Sequence, residues 1–181
     1  MKLGSIYKNL TTEGFKIKEV SKQSLVSLPD DALTIMSTDK IINVKSVKQV
    51  GGDYKPKGLW YAYKDEWVEW VRMEMPDWEK PYLHQIVLDY SNIIILKTYE
   101  DIRNFSKEYS VPISTYKDII NDKNKNNYTY INWEKVANKY KGIEIIPYVW
   151  EARYDFMWYY GWDVASGCIW DSTAIKNIKR L

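Results

Sequence analysis

Half-cystines, histidines and long apolar runs are nearly missing from this chain, and each shortage removes a class of protein. One cysteine, Cys168, rules out an internal disulfide framework. One histidine, His84, beside that single thiol leaves a structural zinc site without its usual ligands, so no metal is expected. No stretch approaches the roughly 20 apolar residues of a membrane span, and the first residues carry no apolar run of signal-peptide type. A reducing cytoplasm is the simplest setting. Charge of one sign is also lacking. The formal net charge of +2 gives no reason to expect a dedicated nucleic-acid binder, although it leaves room for a local basic patch. Glycine-rich phosphate loops and a Gly-x-Ser-x-Gly elbow are not found, since Gly51-Gly52 alone is too little to count.

Aromatic residues are abundant instead: nine Trp and sixteen Tyr in 181 residues. Each offers a broad flat face and one polar handle, which suits both cores and binding surfaces. Two blocks, residues 55–70 and 142–170, hold seven of the nine tryptophans and are expected to meet as the walls of a cleft. The wealth of Lys, Asn, Ile and Tyr suggests an AT-rich coding genome.

The pattern of elements predicts an α+β protein: residues 1–30 as an N-terminal arm, and 31–181 as a single domain of mixed or antiparallel sheets with flanking helices. Strands are expected over 33–37, 58–63, 82–88, 93–96, 143–146 and 166–170, with a turn at 89–92. Residues 40–47 fit a helix or a strand, and Gly51-Gly52-Asp53 reads as a turn. A helix capped by Asp65 is expected to bury Trp67, Trp70 and Val71 and to stop before Pro76. Thr98 is placed to cap a helix facing inward through Ile102, Phe105 and Tyr109, and Asn132 one through Trp133, Val136, Ala137 and Tyr140, ended by Gly142. A short helix from Ser114 or Thr115, a solvated loop over 121–127 and a last helix capped by Ser172, with Ala174, Ile175 and Ile178, complete the expectation. Residues 147–160 are ambiguous.

Several residues carry potential chemistry. Glu144 interrupts an apolar strand; it either occupies a cleft, where burial would raise its pKa, or faces outward by period-two alternation. Asp163, among Trp and Gly, is a second candidate carboxylate or a plain turn residue. Lys55 and Lys57 flank Pro56 ahead of an aromatic strand and suit an anion such as a phosphate, or are ordinary surface lysines. His84 fits a packed or solvated strand residue better than a catalytic one.

The string Lys55-Pro56-Lys57-Gly58-Leu59-Trp60-Tyr61-Ala62 resembles the Gly-Ile-Tyr-Phe-Ala strand of ADP-ribosyltransferases, which a helix follows to close the nicotinamide pocket. Residues 33–38 sit where that superfamily places its first NAD-contacting strand. Residues 166–170, with a capped helix after them, look like its late strand. The resemblance implies NAD as substrate, bent in a cleft by Ser37, Thr38, Lys55, Gly58, Trp60, Tyr61 and Ser166, with Trp60 stacking on nicotinamide. Glu144 and Asp163 would be the catalytic carboxylates, and ADP-ribose would pass to an unknown protein or nucleic-acid acceptor. This sequence departs from the family pattern at two points. Met36-Ser37-Thr38 stands where a first-strand His or Arg belongs, and Gly167 where the late-strand Glu belongs. Two other expectations stand beside this one. One is a non-catalytic aromatic cleft for a nucleotide or single-stranded nucleic acid. The other is a viral or phage protein that grips a host protein through exposed aromatics.

Overall fold

The structure, a computed structural model, describes residues 28–112 and 129–181. The expectations for 1–27, for a helix beginning at Ser114 or Thr115 and for 121–127 lie outside the described residues.

Among the described residues ten strands and four short α-helices alternate irregularly, giving the α+β class. Seven strands make one sheet, in the order β10 (Ile175–Arg180), β4 (Tyr82–Leu88), β1 (Leu33–Ser37), β3 (Leu59–Tyr63), β9 (Ser166–Ile169), β8 (Gly142–Ile145), β5 (Ile93–Leu96). Every neighbouring pair is antiparallel except β5 with β8. A second sheet orders β2 (Gly51–Asp53), β7 (Thr129–Asn132) and β6 (Ser110–Pro112), all antiparallel.

The connection from β4 to β5 requires the large sheet to curl. Laid flat, the two strands would be five spacings apart, about 24 Å at the usual inter-strand distance. The chain from Leu88 to Ile93 can span only about 18 Å fully extended. The sheet therefore wraps around its inner face, and the single turn Tyr90–Asn92 crosses the mouth. Leu33, Ile35, Ile86, Leu88, Ile93 and Ile169 fill that concave face.

The opposite face packs under α2 (Tyr99–Tyr109), α3 (Trp133–Ala137) and α4 (Met157–Tyr160). Its core is unusually aromatic, with Trp133, Trp158 and Trp162 nearly inaccessible beside Phe105 and Tyr109. The α2 cap is as expected: Thr98 Oγ1 accepts the Asp101 N–H at 3.1 Å and Asp101 returns the bond to the Thr98 N–H at 2.9 Å. Asn132 caps α3 in the same manner, accepting from the Lys135 N–H at 3.0 Å.

Several local expectations are corrected. Residues 40–47 form neither helix nor strand. Gly51-Gly52-Asp53 is a bulged strand, because β7 offers it an edge to pair with. In α1 (Glu66–Glu74) the buried residues are Val68 and Val71, while Trp67 and Trp70 are only partly covered. Asp65 precedes that helix without a side-chain capping bond. α3 ends at Ala137, and Gly142 begins β8, where an added Cβ would lie 2.5 Å from Ile169 Cδ1. The expected final helix is a short turn, Ser172–Ala174, capped by Asp171 and followed by β10.

Candidate functional site

A cleft of about 280 Å³ opens on the aromatic side of the sheet, where β1, β3 and β9 meet α1 and the segment before β9. Three indoles wall it: Trp60 from β3, Trp67 from α1 and Trp162. Trp60 and Trp162 meet edge to face with centroids 4.8 Å apart. Thr34 and Met36 form the β1 side, and the Thr34 hydroxyl is turned to the Lys64 carbonyl. Among the described residues the Trp162 indole N–H is buried without a hydrogen-bond partner.

Lys55 supplies the cation. Its loop is fixed by Gln49, a buried amide that donates to the Lys57 carbonyl at 2.6 Å and accepts the Lys57 N–H at 3.0 Å. Gly58 follows with φ +155°, and a Cβ there would lie 2.3 Å from the Ile169 carbonyl oxygen, so only glycine lets β3 start this close to β9. Lys55 is exposed over much of its length, yet its end turns inward, against Gly161 and 5.2 Å over the Trp60 ring. Loss of water around the ammonium lowers its pKa. Asp163 works against that shift and the Arg153 charge adds to it.

Asp163 lines the same cleft but does not pair with Lys55. Its Oδ1 accepts from Arg153 Nη2 at 3.2 Å. Arg153 Nη1 also donates to the Tyr148 hydroxyl and the Trp162 carbonyl, each at 2.6 Å, and the guanidinium lies 4.9 Å from the Tyr160 ring centroid. Behind the cleft Glu66 accepts the Ala165 N–H at 3.0 Å, tying the start of α1, which carries Trp67, to the approach to β9. Partial burial raises the Glu66 carboxyl above its usual range.

Glu144 lies elsewhere. Register places Tyr61, Gly167 and Glu144 side by side across β3, β9 and β8, and Trp60 beside Cys168. Successive strand residues face opposite ways, so Glu144 points into the concave face and Trp60 into the cleft. Glu144 is 7% exposed, and its Oε2 accepts from the hydroxyls of Tyr61 and Tyr90, both at 2.9 Å. The Tyr61 ring reaches it by crossing Gly167, where a Cβ would lie 2.3 Å from the phenol oxygen. Burial first, then the neighbouring carboxylate, pushes both phenols well above their ordinary pKa.

Of the residues selected from sequence, the cleft thus gathers Lys55, Trp60, Asp163, Ser166 and the Tyr61 backbone strand. Ser166 spends its hydroxyl on the Val164 carbonyl at 2.9 Å. Gly58 supports the cleft from behind. Ser37 and Thr38 do not line it, and Ser37 instead accepts the Asp39 N–H at 2.9 Å. The late-strand position of the resemblance is Gly167, and only the one-turn 3-10 helix Ser172–Ala174 follows that strand before β10. Glu144 and Trp60 lie on opposite faces of the sheet, so the structure does not bring these two into one cleft. His84 is buried in β4, its Nε2 3.2 Å from the Lys40 carbonyl.

Sequence reasoning missed Gln49, Glu66 and Arg153. Arg153 had a readable signal, as the one cation within the aromatic run 147–162. A wider polar groove of about 520 Å³, between residues 46–49 and α3, contains none of the sequence-selected residues. Among the described residues no three His, Cys, Asp or Glu side chains gather as metal ligands, and no helix is long and apolar enough to cross a membrane. Comparison with family models, with curated proteins and with solved structures gave no match.

Proposed function

We propose that the cleft binds a planar ring system bearing an anionic group, of about mononucleotide size. The observation that carries this reading is the Lys55 ammonium over the Trp60 ring at the edge of a three-tryptophan cleft, while Asp163 is taken by Arg153. Trp60 and Trp67, both partly exposed, supply faces for stacking, with the buried Trp162 behind them. Lys55, free of an ion pair among the described residues, supplies the charge. Size limits the ligand: 280 Å³ falls just under the ~300–1,000 Å³ of pockets that enclose drug-sized molecules, which favours one ring and its substituents over a whole dinucleotide.

Titration of tryptophan fluorescence with AMP and with adenosine tests the reading. AMP should bind at least about tenfold more tightly, a difference of ~1.4 kcal/mol, and Lys55→Met should abolish the preference. Equal affinity for the two ligands would refute it. The preference should also fade with rising pH earlier than for an ordinary lysine, because the Lys55 pKa is depressed. The same depression acts oppositely on stability. Between the folded pKa and the ordinary value the unfolded chain holds the proton and the folded chain does not, so stability rises with pH there.

A second reading, transfer of ADP-ribose from NAD, draws on the presence of Asp163 in the same cleft as Trp60 and Lys55. It requires nicotinamide release from NAD that Asp163→Asn abolishes and Glu144→Gln leaves intact.

A further inference from the structure

The outer strip of α1 is an unusual surface. Trp67 and Trp70 stack face to face, centroids 4.9 Å apart and planes 11° off parallel, and Trp78 continues the row at 6.3 Å. These rings are not the helix's packing face, which is Val68 and Val71. Trp78 remains 48% exposed and Met73 75% exposed.

Carboxylates surround the row. Glu74, four residues after Trp70, is exposed on the indole strip of the helix, while Glu66, four residues before it, is held by the Ala165 N–H. Glu69 and Asp77 are exposed nearby in sequence. Across residues 65–80 six carboxylates face two cations, Arg72 and Lys80, and Arg72 is already paired with Glu79 at 2.7 Å. A phosphate polymer would be repelled here, although the rings alone could stack on its bases. A cation is favoured twice, by the indole faces and by the carboxylates beside them. Arginine meets both demands best, because its planar guanidinium stacks on an indole while its N–H fork reaches a carboxylate. Trp, Met and Arg are also the residue types enriched where proteins meet.

We infer that the Trp67–Trp70–Trp78 strip is a docking surface for an arginine-bearing, partly apolar peptide segment of a partner protein. This surface shares Trp67 with the wall of the cleft, yet its recognition chemistry does not depend on ligand binding by Lys55.

The test uses the full chain and three blocked octapeptides in which Leu alternates with Arg, with Lys or with Glu, together with an oligothymidylate. Affinities are read by calorimetry, and chemical shifts of the indole N–H groups report the place of binding. The Arg peptide should bind at the strip, several-fold more tightly than the Lys peptide, and far more tightly than the Glu peptide or the oligonucleotide. Trp70→Ala should weaken it at least tenfold. Should that variant fold poorly, Glu74→Lys changes only an exposed side chain and should weaken binding about as much. Unchanged Arg-peptide affinity in Glu74→Lys would overturn the inference, as would comparable binding of the Glu peptide or of oligothymidylate.

Discussion

Glu144 shows how much one side chain can organise without entering the cleft. Its Oε2 receives two phenol hydroxyls, one from β3 and one from the turn that bridges β4 and β5. It therefore ties the middle of the sheet to the connection that forces the sheet to curl. Glu144→Gln keeps a carbonyl acceptor for both phenols but removes the charge. Ultraviolet titration at alkaline pH should show the Tyr90 phenol ionising at lower pH in this variant, with far-UV circular dichroism unchanged at neutral pH. In the parent, both folded phenols hold their protons beyond the ordinary tyrosine value of about 10, so stability falls as pH rises above that value. The variant should lose less stability there. An unmoved Tyr90 titration would mean that the carboxylate does not act on it. From the sequence, Glu144 is recognisable as a charge among isoleucines. Its face is not, because that depends on its pairing with Gly167 on a strand more than twenty residues away.

Elements obey the same division. Thr98 and Asn132 announce their helices because capping is local chemistry that neighbouring residues complete. β10 misleads for a specific reason. Ile175 and Ile178 are spaced like one face of a helix, yet they lie in a strand whose register shifts between Ile175 and Asn177. That bulge sets Ile175 opposite Leu88 and Ile178 opposite Ile86, so both isoleucines reach the concave core. A bulged strand thus imitates helical spacing. The β4 and β5 runs are equally plain as strands, but the turn between them suggests a hairpin, and only the tertiary order separates them to positions two and seven. For β9 the decisive element feature is an absence of side chain. Gly167→Ala would set a Cβ 2.3 Å from Tyr61 Cζ and 2.7 Å from the Ile143 carbonyl oxygen, atoms fixed in adjoining strands. The expected cost is about 1–3 kcal/mol, the usual scale of overpacking. Urea denaturation would measure it, and an unchanged midpoint would show that Tyr61 moves aside freely.

At the scale of the whole molecule, one sheet supports two cores. Trp133, Trp158, Trp162 and Trp170 belong to the core beneath the helices, and Ile35, Ile86 and Ile93 to the concave core. The central strands β8 and β9 are buried at every position and serve both, since Cys168 faces one core and Ile169 the other. Loosening either core should therefore remove the support of the other. Ile102→Ala, on the buried face of α2, and Ile86→Ala, inside the curl, each empty a site at most 2% exposed and should each cost about 2–5 kcal/mol. The instructive comparison is between probes. Near-UV circular dichroism follows mostly the tryptophans of the helix-covered core, whereas far-UV circular dichroism follows the backbone of the whole chain. If the cores are coupled through β8 and β9, the two signals trace a single urea transition in the parent, and Ile86→Ala moves both midpoints by the same amount, although no tryptophan lies in its cluster. A near-UV midpoint that stays in place while the far-UV transition splits in Ile86→Ala would show two units that merely share a sheet.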